Sequence, residues 1–152
     1  MPENAFFNEA LEEARNDPPD FDRIFQLLVQ AQEEGDPRAA YTLGAWHLHG
    51  NYVEQDYARA VPLLEQAADD GLLEALFDLA VCFEQGLGVE RNARKAFEHY
   101  LRAALGGDSD AVHEVGRCYY YGIGVPEDKI LARIWLDHAE EEDSDPAEEE
   151  NV

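Results

Sequence analysis

The chain has 152 residues, 34 of them Asp or Glu and 11 Lys or Arg, for a formal net charge of −23. An excess of acid this large argues against docking on nucleic-acid phosphates or anionic lipid and favours a basic partner, or serves only solubility. Apolar residues at 45% are too many for a wholly disordered chain, and no apolar run reaches the ~18–20 residues of a membrane span.

Residues 1–34 read as a degenerate N-terminal capping repeat. Met1 to Asp17 holds one Arg and no apolar block, which does not read as a cleaved secretory signal. Phe7 and Leu11 lie 36 positions before Leu43 and His47, and Asp20, Ile24, Leu28 and Ala31 lie 36 before Asp56, Ala60, Leu64 and Ala67. The Asp17-Pro18-Pro19-Asp20 turn separates the two halves.

Three clear repeats follow, at 35–70, 71–106 and 107–140, aligned at an offset of 36 without a gap. The matched columns include Gly35, Gly71 and Gly107; Ala39, Ala75 and Ala111; Gly50, Gly86 and Gly122; Ala60, Ala96 and Ala132; and Ala67, Ala103 and Ala139. In repeat one, the spacing of Ala39, Ala40, Leu43, Trp46 and His47 predicts an amphipathic helix over about 37–49. Asp36 caps its start, Pro37 suits its first position, and Gly50 closes it in a conformation that glycine adopts without strain. Val53 lies in the turn. Asp56 caps a second helix over about 57–70 with Ala60, Leu63, Leu64 and Ala67 inward, and Pro62 implies either a kink or a late start. In the last repeat, Arg133 and Glu140 stand where earlier repeats have Val61 and Phe97, or Ala68 and Ala104, as expected where no further repeat stacks. Residues 141–152 read as a disordered acidic tail.

The outer face of each first helix, by helical wheel, is Tyr41, Ala45 and Leu48 in repeat one, Phe77, Val81 and Glu84 in repeat two, and His113, Arg117 and Tyr120 in repeat three. It is richer in rings and aliphatic groups than a solvated face, so it is the candidate partner surface, with Tyr121 beside it. Glu74, Asp78, Asp110 and Glu114 would form an acidic rim. The opposing expectation is that these columns pack between neighbouring repeats.

The two cysteines, Cys82 and Cys118, share a column, so their Cα atoms should lie about 8–10 Å apart, beyond disulfide reach, and read as buried free thiols in a reducing compartment. His47 and His49 are two apart and point to different sides of a helix. With no Cys-x-x-Cys and no His-x-x-x-His, no metal or cofactor is expected. Ser109 and Ser144 are poor nucleophile candidates, Gly86-Leu87-Gly88 and Gly122-Ile123-Gly124 lack the context of a phosphate loop, and the chain reads as non-enzymatic.

The columns A-x-x-x-L-G, Y-x-x-G-x-G-V-x-x-D and A-x-x-x-L-x-x-A-A-x-x-G, seen at Ala75 to Val89 and Ala111 to Val125, resemble the Sel-1-like repeat, a subclass of tetratricopeptide-type hairpins. The resemblance implies an all-α, right-handed α-solenoid whose first helices line a concave face and whose members are mostly adaptors for protein partners. Secreted relatives with paired cysteines, linked to β-lactam binding, are a less similar branch, because those pairs are missing here. The chain also departs from the pattern at Ala80, where the family has a glycine, at His47, where it has an aromatic, and at Asn51-Tyr52, where it has a glycine-rich turn. The resulting expectation is a cytoplasmic, bacterial interaction module for a basic protein. The alternative is an immunity protein neutralising a toxin such as a nuclease, and a third reading is a hydrolase or β-lactam-binding protein.

Overall fold

The structure, a computed structural model, describes residues 3–143. Among them are eight α-helices and no strand. They fall into two compact units, residues 3–75 with 87–89 and residues 76–86 with 90–143.

The first unit contains α1 (Ala5–Glu13), α2 (Phe21–Glu33), α3 (Pro37–His49) and α4 (Tyr57–Asp69). Short polar side chains start each helix, because the first backbone N–H groups lack intrahelical acceptors. Asn4 accepts from Phe7 N, Asp20 from Arg23 N, Asp36 from Arg38 N and Asp56 from Arg59 N. Phe7, Ala10, Ile24, Leu27, Leu28, Ala31, Ala39 and Leu43 form a continuous core. Leu11, expected inward, is 46% exposed, and Ala10 takes the buried position instead. Pro62 lies inside α4, which starts at Tyr57, so the late start is excluded. Proline has no N–H to give the Ala58 carbonyl, a loss tolerated because Pro62 faces solvent.

The second unit holds α5 (Leu73–Gln85) from residue 76 onward, α6 (Ala93–Leu105), α7 (Ser109–Tyr121) and α8 (Lys129–Asp143). Leu79, Cys82, Phe97, Tyr100, Val115, Cys118 and Ala132 fill its core. Asn92, Asp108 and Asp128 cap α6, α7 and α8. The helix α8 runs through 141–143, within the segment expected as a tail, and the rest of that tail lies outside the described residues.

One hydrogen bond repeats in the three hairpins that follow the first and fixes their turns. The N–H of the second helix's capping residue donates to a carbonyl near the end of the first helix: Asp56 to His47, Asn92 to Phe83, and Asp128 to Tyr119, each at 2.8 Å.

Candidate interaction surface

The outer columns of the first helices sort into three kinds. Tyr41, Ala45, Phe77, Val81, Glu84 and Arg117 are half-buried, and His113, Tyr120 and Tyr121 are exposed. Leu48, placed on the contact face by the sequence, is only 5% exposed. It belongs to the core, so it leaves the candidate surface. Of the acidic rim, Glu74 and Asp110 are exposed, while Asp78 and Glu114 are half-buried.

Within the second unit, α5, α6 and α7 bring several of these residues together. Phe77 meets Tyr100 edge to face, with ring centroids 5.4 Å apart. Arg117 on α7 reaches α5, donating from Nη2 to Glu84 Oε2 at 2.8 Å, while its Nε donates within α7 to Glu114 Oε2 at 2.6 Å. The Tyr100 hydroxyl on α6 donates to the same Glu84 oxygen at 2.9 Å. Burial alone would favour the neutral acid at Glu84, but the bonds from Arg117 and Tyr100 outweigh it and hold the carboxyl below its ordinary value. The hydrogen bond to Glu84, working against desolvation, correspondingly holds Arg117 firmly protonated. Desolvation first, and the Glu84 bond second, push the Tyr100 hydroxyl well above its ordinary value.

Glu84 and Arg117 therefore answer each other as a clamp between neighbouring first helices. The sequence signal for it was the pair's separation of 33, one repeat less three residues, which puts opposite charges side by side on adjacent first helices. Polar pairing also spans neighbouring second helices in the first unit, where Gln32 Nε2 donates to Gln66 Oε1 at 2.7 Å and Gln66 Nε2 returns a bond to the Gln32 carbonyl.

Beyond the clamp, the end of α7 is open. Tyr120 and Tyr121 are 41% and 67% exposed, their rings lie 4.8 Å apart, and Lys129 Nζ sits 5.1 Å over Tyr120. Tyr119 turns inward, edge to face with Phe97 at 5.4 Å.

Both cysteines are buried and unpaired with each other, and desolvation pushes each thiol up to about 11. They are therefore poor nucleophiles at neutral pH. Among the described residues, no group of three or more His, Cys, Asp or Glu is placed to hold a metal ion. No helix among them is long and apolar enough to cross a membrane.

A run of two-helix hairpins, their second helices capped by Asp or Asn and the last three closed by the same turn bond, defines an α-helical repeat protein. Comparison with known families makes this specific: residues 37–72, 73–108 and 109–143 each match the Sel1 repeat. The chain belongs to the Sel1 repeat family, whose members are generally protein–protein interaction scaffolds and typically non-catalytic. These matched units start at the first helix, two residues after the glycine from which the period was counted.

A protective antigen of uropathogenic Escherichia coli with the same type of fold is 32% identical, with a TM-score of 0.80 over 83% of this chain and 27% of that one. A Sel1 repeat protein from Oxalobacter formigenes is also 32% identical, with a TM-score of 0.75 over 80% of this chain and 35% of that one. Cysteine-rich protein B of Helicobacter pylori shares the fold at 24% identity and a TM-score of 0.60, over 67% of this chain and 77% of that one. The chain thus spans only about a third or less of the first two. No curated protein matches it.

Proposed function

We propose that the chain is a non-enzymatic module that holds a basic protein partner on the outer face of its first helices. The observation that carries this is the open patch at the end of α7 and along α5. There Tyr120, Tyr121 and His113 are exposed, Val81 and Phe77 are half-buried, and Asp78, Asp110 and Glu114 supply acid. Aromatic groups backed by a rigid helix make efficient contact anchors because few torsions are lost on binding. Tyr41 and Ala45 of α3, with the exposed acid Glu74, offer contacts of the same kind on the first unit taken by itself. A net charge of −23 steers a cationic surface toward the chain and raises the encounter rate. The setting proposed with it is a reducing, bacterial cytoplasm, where unpaired cysteines persist.

The same charge supports the second reading, an inhibitor that covers the cationic active site of a toxin such as a nuclease. Affinity capture from the source cell, at low salt and at about 1 M salt where the screening length falls to ~3 Å, tests both readings. A basic protein retained at low salt, released at high salt and lost with Tyr120→Ala/Tyr121→Ala supports the module. A toxin as that protein selects the inhibitor. Capture that is indifferent to salt and to both tyrosines overturns the proposal.

A further inference from the structure

Tyr52 is the one non-glycine residue with positive φ, +59°, among the described residues. Its counterparts 36 and 72 positions on are Gly88 and Gly124, at +70° and +72°. In those two turns the glycine lets the loop lie against the backbone that opens an earlier second helix. A Cβ on Gly88 would come within 2.5 Å of the Tyr57 carbonyl oxygen, and one on Gly124 would collide with the carbonyl of Ala93.

The residue 36 before Tyr57 is Phe21, and there rings take the place of the close backbone approach. Tyr52 stacks on Phe21 with centroids 4.0 Å apart and planes at 18°, and it meets Trp46 at 4.8 Å. Tyr52 is 63% exposed and Phe21 38% exposed. A bulky side chain held in a left-handed backbone, with its ring displayed to water, is the kind of local strain that accompanies binding sites.

A second observation lies in the same three segments. Phe25, His47, Val53, Glu54, Gln55, Asp56 and Arg59 line a cavity of about 440 Å³. Trp46 and Tyr52 adjoin His47 and Val53 in the chain, and Phe21 is one turn from Phe25 on α2. His47 occupies the column that holds Phe83 and Tyr119 in the other repeats. It is 8% exposed, and its Nδ1 has no hydrogen-bond partner among the described residues. Asp56 is occupied with the start of α4 and with the Arg59 guanidinium at 3.4 Å, whereas Glu54 on the same loop is exposed.

We propose that this ring stack and cavity receive an arginine side chain of the protein partner. A planar guanidinium lies flat on an aromatic face and still directs N–H groups sideways, which a lysine ammonium cannot do. Its N–H groups donate to the exposed Glu54 carboxylate on the loop beside the rings. The site rests on the basic-partner reading for where the arginine comes from. It is separate from the tyrosine patch on α7.

The test is a two-dimensional NMR titration of the full chain with the peptide acetyl-Gly-Arg-Gly-amide, against the same peptide carrying neutral citrulline. Saturable shifts are expected at the Trp46 indole N–H and the Tyr52 amide, with citrulline about tenfold weaker. Tyr52→Gly installs the residue of the sister turns and should abolish the arginine preference with the helical spectrum intact. If that variant does not fold, Glu54→Gln decides the matter by weakening arginine binding severalfold. Equal affinity for the two peptides, shifts indifferent to both variants, or no saturable shift would overturn the site. Should capture of a basic partner still depend on Tyr120 and Tyr121 after such a result, the module reading stands and only the arginine site falls.

Discussion

The turn of repeat one and the turns of repeats two and three reach one backbone conformation by different means. Gly88 and Gly124 sit against carbonyl groups, where any side chain would collide. Tyr52 takes nearly the same φ but spends its side chain on Phe21 and Trp46. Two of these turns are therefore seams that join hairpins by backbone contact, and the third is a displayed surface. The same repeat geometry serves packing where glycine is kept and displays stacked rings where it is replaced.

The comparison breaks first at Gly124. A methyl group there meets both the left-handed backbone, costing about 1–2 kcal/mol, and a carbonyl that cannot move aside, adding about 1–3 kcal/mol. Gly124→Ala should lower stability by about 3–4 kcal/mol, and Gly88→Ala by somewhat less. At ~2–4 °C per kcal/mol for a chain of this size, thermal melts followed by circular dichroism will resolve both. Tyr52→Gly loses ring stacking of about 0.5–1.5 kcal/mol but relieves the backbone, so its midpoint should barely move. A drop for Tyr52→Gly as large as that for Gly124→Ala would show that both kinds of turn are seams.

Much of this was legible in the residues alone. The period of 36, the helix limits and their caps follow from Asp36-Pro37, Gly50 and Asp56, because those residues act locally through backbone groups that any helix end must satisfy. The outer face was harder. Leu48, Glu84 and Tyr120 share one column, yet the first is core, the second is clamped by Arg117, and the third is 41% exposed. A helical wheel sees one helix, whereas exposure is set by what packs on it. Tyr52 could be seen as a departure from the repeat. The rings it meets belong to Phe21, from the degenerate first hairpin, and to Trp46, which packs against the core as its spacing implied and touches Tyr52 as well.

The clamp sharpens the comparison within the first helices, since it separates contact residues from structural ones. Arg117→Met keeps the stem and removes two charge-assisted bonds, leaving half-buried Glu84 with the Tyr100 hydroxyl as its remaining hydrogen-bond donor. The loss should be about 2 kcal/mol at pH 7, read by urea denaturation. The folded-state pKa of Glu84 is depressed below the ordinary 4.5, so its ionised form contributes stability that is complete above that value. The contribution disappears as pH falls through the lower folded-state value. In the variant, burial is opposed only by the Tyr100 bond and the Arg91 charge, so that carboxyl moves upward from its wild-type value. The stability gap between wild type and variant should therefore shrink below about pH 4. A gap independent of pH would assign the loss to packing of the arginine stem.

The smallest effect concerns the glycines inside the first helices. A Cβ on Gly116 would lie 2.8 Å from both Cγ and Cδ2 of Leu136, whereas one on Gly44 would lie 3.0 Å from Leu64 Cδ2 and 3.1 Å from its Cγ. Alanine gains about 1 kcal/mol of helix propensity over glycine, against about 1–3 kcal/mol of overpacking. Repeat two already carries the methyl, since Ala80 is fully buried at this column, with Tyr100 rather than leucine at the position matching Leu64 and Leu136. The tighter leucine contact at Gly116 should make Gly116→Ala destabilising by about 1 kcal/mol, and the looser one should leave Gly44→Ala near neutral. Gly116→Ala combined with Leu136→Tyr tests whether the facing residue sets the sign. Copying the pairing of repeat two should recover part of the loss, and a double variant no more stable than the single one would show that the helix spacing, rather than the facing side chain, excludes the methyl.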